Sequence, residues 1–120
     1  MSDPSKHTPT QLAAGIWGGP HVRLDVREGG AEIEYDCAHG TLAAPLVPDA
    51  AGRFEVGGTH VREGPGPIRL NVPRVARPAR YAGTVTGDRM TLTVTLTDRG
   101  EDFGSFTLTR GSEGRLRKCR

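Results

Sequence analysis

The eight residues Met90-Thr-Leu-Thr-Val-Thr-Leu-Thr97 alternate without exception between apolar and hydroxyl side chains. Met90, Leu92, Val94 and Leu96 therefore share one face of an extended chain and four threonines share the other. A helix would scatter that pattern around its circumference, and the β-branched threonines themselves favour extended backbone. The same period recurs along the chain from Trp17 to Arg110. Val22, Leu24 and Val26 share a face in residues 21–28, and Ile33, Tyr35, Cys37 and His39 share one in residues 31–39. Residues 81–86 precede the threonine strand across Gly87-Asp88, and residues 103–110 follow it across Asp98-Arg-Gly-Glu101. Sequential strands joined by short turns of this kind describe an antiparallel meander. Six to eight such strands predict an all-β fold, a small up-and-down barrel.

The turn residues settle how to read an unusual composition. Seventeen glycines and nine prolines in 120 residues resemble a disordered chain, yet they fall at strand joints such as Gly29-Gly30, Gly57-Gly58, Gly87 and Gly100. A chain of this length carries one domain. Residues 1–14 read as an N-terminal extension, 15–111 as the barrel and 112–120 as a basic tail. Residues 41–46 extend the second hairpin strand past Gly40, and residues 53–56 with 59–63 form a strand pair or one strand bulged at Gly57-Gly58. Residues 64–79 contain Pro65, Pro67, Pro73 and Pro78, so this stretch reads as an edge strand or a long loop. Only six residues are Phe, Trp or Tyr. The interior is therefore filled by small aliphatic side chains or left partly hollow.

Net charge is +2, distributed unevenly: residues 1–61 carry −4, 62–80 carry +4, 81–109 carry −2 and 110–120 carry +4. Fourteen of the sixteen basic residues are Arg, a preference that a GC-rich bacterial coding sequence produces without functional selection. The segment from Arg62 to Arg80 and the tail ending Arg117-Lys118-Cys119-Arg120 suit an interaction module for an acidic partner. Without interleaved aromatics or a recognised nucleic-acid module they argue against nucleic acid as that partner. Residues 1–10 are polar and no apolar run is long enough to span a membrane, so the expected compartment is the cytoplasm, with a mature exported form as the alternative. In a reducing compartment Cys37 and Cys119 are thiols. A disulfide between them requires an oxidising one.

Gly15-Ile16-Trp17 opens the first strand and Phe106-Thr-Leu-Thr-Arg110 closes the last. This pairing resembles the calycin superfamily, the small barrels that include lipocalins, fatty-acid-binding proteins and nitrobindins. The resemblance implies that Trp17 packs beneath Arg110 to close one end, that the other end is open, and that a pocket holds a small apolar ligand or cofactor. Parity places Arg110 with Phe106 and Leu108 on the inward face, where a guanidinium over an indole is a cation–π contact. Nitrobindin-like members bind haem through a histidine late in the chain. No histidine follows His60 here, so that ligand is not carried over.

The candidate chemistry lies in the first half of the chain. His39 shares the face of Ile33, Tyr35 and Cys37, and His60 shares that of Phe54 and Val56, so both are expected to point inward. His21 alternates against Val22, Leu24 and Val26, which places it outward unless Gly18-Gly19-Pro20 resets the register. Imidazoles on adjacent strands can converge on one ion, and three with an open fourth position match a catalytic zinc site with metal-bound water as nucleophile. Cys37 as a further ligand would make a closed site for zinc or copper; among metals and cofactors zinc leads copper and haem. The expected ligand-binding residues are Tyr35, Cys37, Arg80 and Tyr81, with Arg69 beside them at the pocket mouth. Glu32, Glu34 and Asp36 lie on the opposite, solvated face. No nucleophile elbow, P-loop or dinucleotide fingerprint is present. The sequence thus predicts a small barrel that binds a small molecule or a metal ion, with a zinc-dependent hydrolase or lyase and an arginine-rich interaction module as alternatives.

Overall fold

The period-two segments become eight strands in a computed structural model that describes residues 11–62 and 76–116. In chain order they are β1 (Gly15–Gly19), β2 (Val22–Arg27), β3 (Gly30–Tyr35), β4 (Ala38–Leu42), β5 (Arg53–Arg62), β6 (Ala76–Thr86), β7 (Arg89–Leu96) and β8 (Glu101–Arg110). Each pairs antiparallel with the next, and β8 returns to β1, so the sheet is a closed up-and-down barrel. Closure gives every strand a neighbour on each side. Among the described residues there is no helix, and none long and apolar enough to cross a membrane.

Alternation sorts the side chains as a half-buried strand requires. Met90, Leu92, Val94 and Leu96 of β7 are buried while the threonines between them are wholly or partly exposed. Val22, Leu24 and Val26 of β2 and Ala31, Ile33 and Tyr35 of β3 face the same interior. The turns β2–β3, β4–β5 and β6–β7 gather at what we call the lower end, and β1–β2, β3–β4 and β7–β8 at the upper end. The lower end is plugged by Leu46 of the β4–β5 connection, fully buried and held by the Leu12 N–H donating to its carbonyl at 2.7 Å.

The seam between β1 and β8 is short, with Trp17 opposite Arg110 and Gly18 opposite Thr109. It is reinforced from outside. After Gly111, whose N–H donates to Ile16 at 2.8 Å, the chain turns back alongside β1, and the Arg115 N–H donates to Gly19 at 3.1 Å. A side chain at Gly18, which faces out of the barrel, would collide with the backbone of Ser112 and Gly114. Residues 112–115 therefore lie on the barrel wall. Arg110 itself is exposed while Trp17 is buried, which corrects the expectation of an inward arginine: at the last position of β8 its side chain reaches water.

Three other expectations are corrected by local geometry. Residues 31–39 are not one strand but two, joined by a tight turn at Asp36-Cys37. Ile33 faces Gly40 across that hairpin, so after the turn the even residues Ala38, Gly40 and Leu42 point inward. Residues 53–62 form one continuous strand without a bulge at Gly57-Gly58, as the unbroken β4–β5 and β5–β6 registers show. Pro78 lies within β6, not in a loop, just before the first registered pair with β7, Ala79 with Leu96, and its carbonyl accepts from the Thr97 N–H at 3.0 Å where the ladder ends. A missing N–H is tolerated there for the reason it is tolerated on an edge.

Candidate functional site

The upper end holds the polar interior groups. His60, near the end of β5, is 3% exposed and stands between Gly40 of β4 and Arg77 of β6. Its place is inward, as parity on β5 requires. A bulge brings the next residue. On β8 Val94 faces Gly104 but Thr95 faces Asp102, leaving Phe103 as the extra residue. A regular strand would aim Phe103 away from Phe106, three positions on. The bulge re-aims it over the barrel mouth, where its ring centroid is 4.2 Å from that of His60 and 4.9 Å from that of Tyr35. Phe106 completes the group at 5.2 Å from Tyr35.

A cleft of 630 Å³ opens above these rings, lined by Ala38, His60, Arg77, Leu96, Glu101 and Phe103, with Cys37 and Arg62 at its rim. That size lies within the range of about 300–1,000 Å³ usual for small-molecule sites. Arg77 is fixed by a bidentate pair with Asp98, 2.9 Å from Nε and 2.8 Å from Nη2, and by Glu101 at 3.2 Å. Asp98 and Glu101 hold the guanidinium well above its ordinary pKa, and Arg77 in turn lowers that of Asp98. Arg77 is thus a positioned cation whose charge is already matched.

Beneath the cleft the interior contains two phenols. Tyr35 is buried, and burial reinforced by the neighbouring Tyr81 pushes its pKa far above the ordinary phenol value. Tyr81, pushed up to about 12 by burial, donates from its hydroxyl to the Thr59 carbonyl at 2.6 Å. Gly40 makes room for that crossing, since a side chain there would meet the Tyr81 hydroxyl and the Thr59 carbonyl. His60 is held below the usual imidazole pKa, first by burial, then by its electrostatic interactions with Arg77 and His39. It is therefore uncharged at neutral pH. Its Nδ1 is buried without a hydrogen-bond partner among the described residues, an arrangement that costs about 1–3 kcal/mol when nothing compensates it.

The structure separates the three histidines. His60 is inside, whereas His39, displaced by the Asp36-Cys37 turn, points away from the interior and is half-buried. His21 occupies the β1–β2 turn with a positive φ of 65° and its Nδ1 2.6 Å from Asp36 Oδ2. Among the described residues no group of three or more His, Cys, Asp or Glu is placed to hold a metal ion. Cys37 lies exposed in the β3–β4 turn and is disulfide-bonded, so it offers no thiolate. Cys119 and Arg69 lie outside the described residues. Arg80 is on the outer face, 3.8 Å from Glu55. Of the expected ligand-binding residues, Tyr35 and Tyr81 are in the interior and Cys37 is at the rim.

Sequence reasoning missed Arg77, Glu101, Phe103 and Phe106. A signal for Phe103 existed: two phenylalanines three apart with glycine between them in one strand cannot both face inward unless the strand bulges. Arg77 carried no such signal, because it lies in a stretch whose prolines read as a loop. No family model, no curated protein and no solved structure matches this chain.

Proposed function

We propose that this protein is a binding module, a calycin-like barrel that takes a small molecule at its upper end with His60 as the polar anchor. One observation carries the reading: a histidine 3% exposed, with a ring nitrogen lacking a partner among the described residues, forms part of the wall of a 630 Å³ cleft. Buried polar groups are almost always hydrogen-bonded, so an imidazole kept in the wall of a cleft at the cost of an unsatisfied nitrogen is explained by what it offers a ligand there. The calycin-like assignment is supported by the eight-strand closure and by the buried Trp17 on the first strand. The disulfide at Cys37 favours an oxidising compartment; iodoacetamide should label Cys37 only after reduction, and labelling of untreated protein would count against that compartment.

The binding reading is tested by amide chemical-shift mapping of the full chain against a library of small fragments. Binders should perturb Ala38, His60, Leu96 and Phe103 together. Binders that map instead to the outer face, or a library without any binder, would overturn it.

A further inference from the structure

We infer that the ligand of the upper cleft is an uncharged, flat aromatic molecule bearing a hydroxyl group, with His60 as its hydrogen-bond partner. This rests on the binding reading above and adds the chemical class.

Flatness follows from the walls. The chain has only six Phe, Trp and Tyr residues, and three of them form one cluster with His60, Tyr35 and Phe103 against the imidazole and Phe106 behind them, with centroid separations between 4.2 and 6.2 Å. Their planes are tilted by 34–59° to one another; Phe103 lines the cleft beside His60, with Tyr35 and Phe106 packed against it, so an aromatic guest meets ring surface at Phe103 and fits it by offset or edge contact. Phe103 is 38% exposed, so part of its ring remains for a guest to cover. It is the large apolar side chain at the mouth that packing does not bury.

Neutrality follows from the charges. Two guanidiniums, Arg62 and Arg77, and two carboxylates, Asp98 and Glu101, stand at the rim, and they cancel. Arg77 is engaged by both carboxylates, so an anion would have to compete with them. His60 is kept from taking up a proton by burial and by the neighbouring Arg77. Among the described residues neither an anion nor a cation finds an uncompensated counter-charge.

The hydroxyl follows from the imidazole. A neutral histidine carries one N–H and one bare nitrogen, and which is which depends on the tautomer. A hydroxyl both donates and accepts, so it complements His60 in either tautomer, whereas a carbonyl or an amine N–H suits only one. Satisfying a group in this desolvated position is worth about tenfold or more in affinity.

The test uses the full chain at pH 7 and titrates it calorimetrically with 2-naphthol, naphthalene, 2-naphthoate and 1-octanol. 2-Naphthol is expected to bind at least about tenfold more tightly than each of the others. In His60→Phe, which keeps a ring and removes the nitrogens, 2-naphthol and naphthalene should bind equally. Nitrogen-15 shifts of the His60 ring in the unaltered protein provide a readout independent of that variant's folding; they should move with 2-naphthol and not with naphthalene. Tighter binding of 2-naphthoate or 1-octanol overturns the ligand class and leaves the binding reading standing. A naphthol preference that survives in His60→Phe, or a His60 ring indifferent to 2-naphthol, overturns the role of His60. Failure of all four compounds to bind overturns the inference; the binding reading then stands or falls on the fragment mapping alone.

Discussion

At the lower end of the barrel Leu46, Met90, Leu42 and Val26 are buried within a continuous apolar cluster, and the connection that carries Leu46 is tied down by Leu12. At the upper end the same interior passes through Tyr81 and Tyr35 to His60, and ends in a partly exposed Phe103 beneath an open cleft. Both ends are built from the same strands with the same alternation. They differ in how each strand finishes. Below, side chains meet only carbon and the energy lies in close packing. Above, a bulge, a two-residue turn and a matched arginine hold polar and aromatic groups in positions that packing alone does not favour. An eight-stranded barrel is just wide enough either to fill with side chains or to admit one small ligand, and this one is filled at its lower end and has a cleft at its upper end.

The comparison makes the lower end the more sensitive to truncation. Leu46→Ala should lower the unfolding free energy by about 2–5 kcal/mol, read as a shift of the urea midpoint without a change of slope. A loss below about 1 kcal/mol would mean that the plug is dispensable and the two ends are alike. Tyr81→Phe, at the transition between the ends, removes the hydroxyl that donates to Thr59 and should cost about 1 kcal/mol. An unchanged midpoint would show that this bond adds nothing to the fold. Smaller again is Asp98→Asn, which deprives Arg77 of one of its two carboxylates. It should lower the midpoint less than Tyr81→Phe does, while weakening 2-naphthol binding by freeing the rim. An effect on stability as large as that of Leu46→Ala would make the rim part of the core.

Much of the lower end was legible in the sequence. The runs Met90-Thr-Leu-Thr-Val-Thr-Leu and Val22-Arg-Leu-Asp-Val name their buried faces directly, because alternation is local and each turn beside them is marked by glycine. The upper end was harder for equally local reasons. The turn at Asp36-Cys37 contains no glycine, so alternation was carried through it. Once two residues are spent on a turn, every later side chain changes face, which moved Cys37 and His39 out of the expected site. The bulge at Phe103 shifts parity in the same way. His60 was placed correctly because β5 runs unbroken from Arg53 to Arg62, so counting from Phe54 and Val56 remained valid. Arg77 could be found only by knowing which strand stands beside His60.

The account turns on His60 being retained for binding against the interest of the fold. A buried nitrogen without a partner destabilises the empty protein, and its removal should change the sign of the mutational effect. Protonation adds a second signature. Because the folded pKa of His60 lies below the ordinary value, the unfolded chain takes up a proton first as pH falls below about 6.5, and stability declines until the folded imidazole also titrates. The decisive measurement is urea unfolding of His60→Leu beside the unaltered protein at pH 7 and pH 5. The account predicts a variant more stable by about 1–3 kcal/mol at pH 7, with the gap wider at pH 5. A variant less stable than the parent, with a difference that pH leaves unchanged, would show His60 to be an ordinary part of the core and contradict the account.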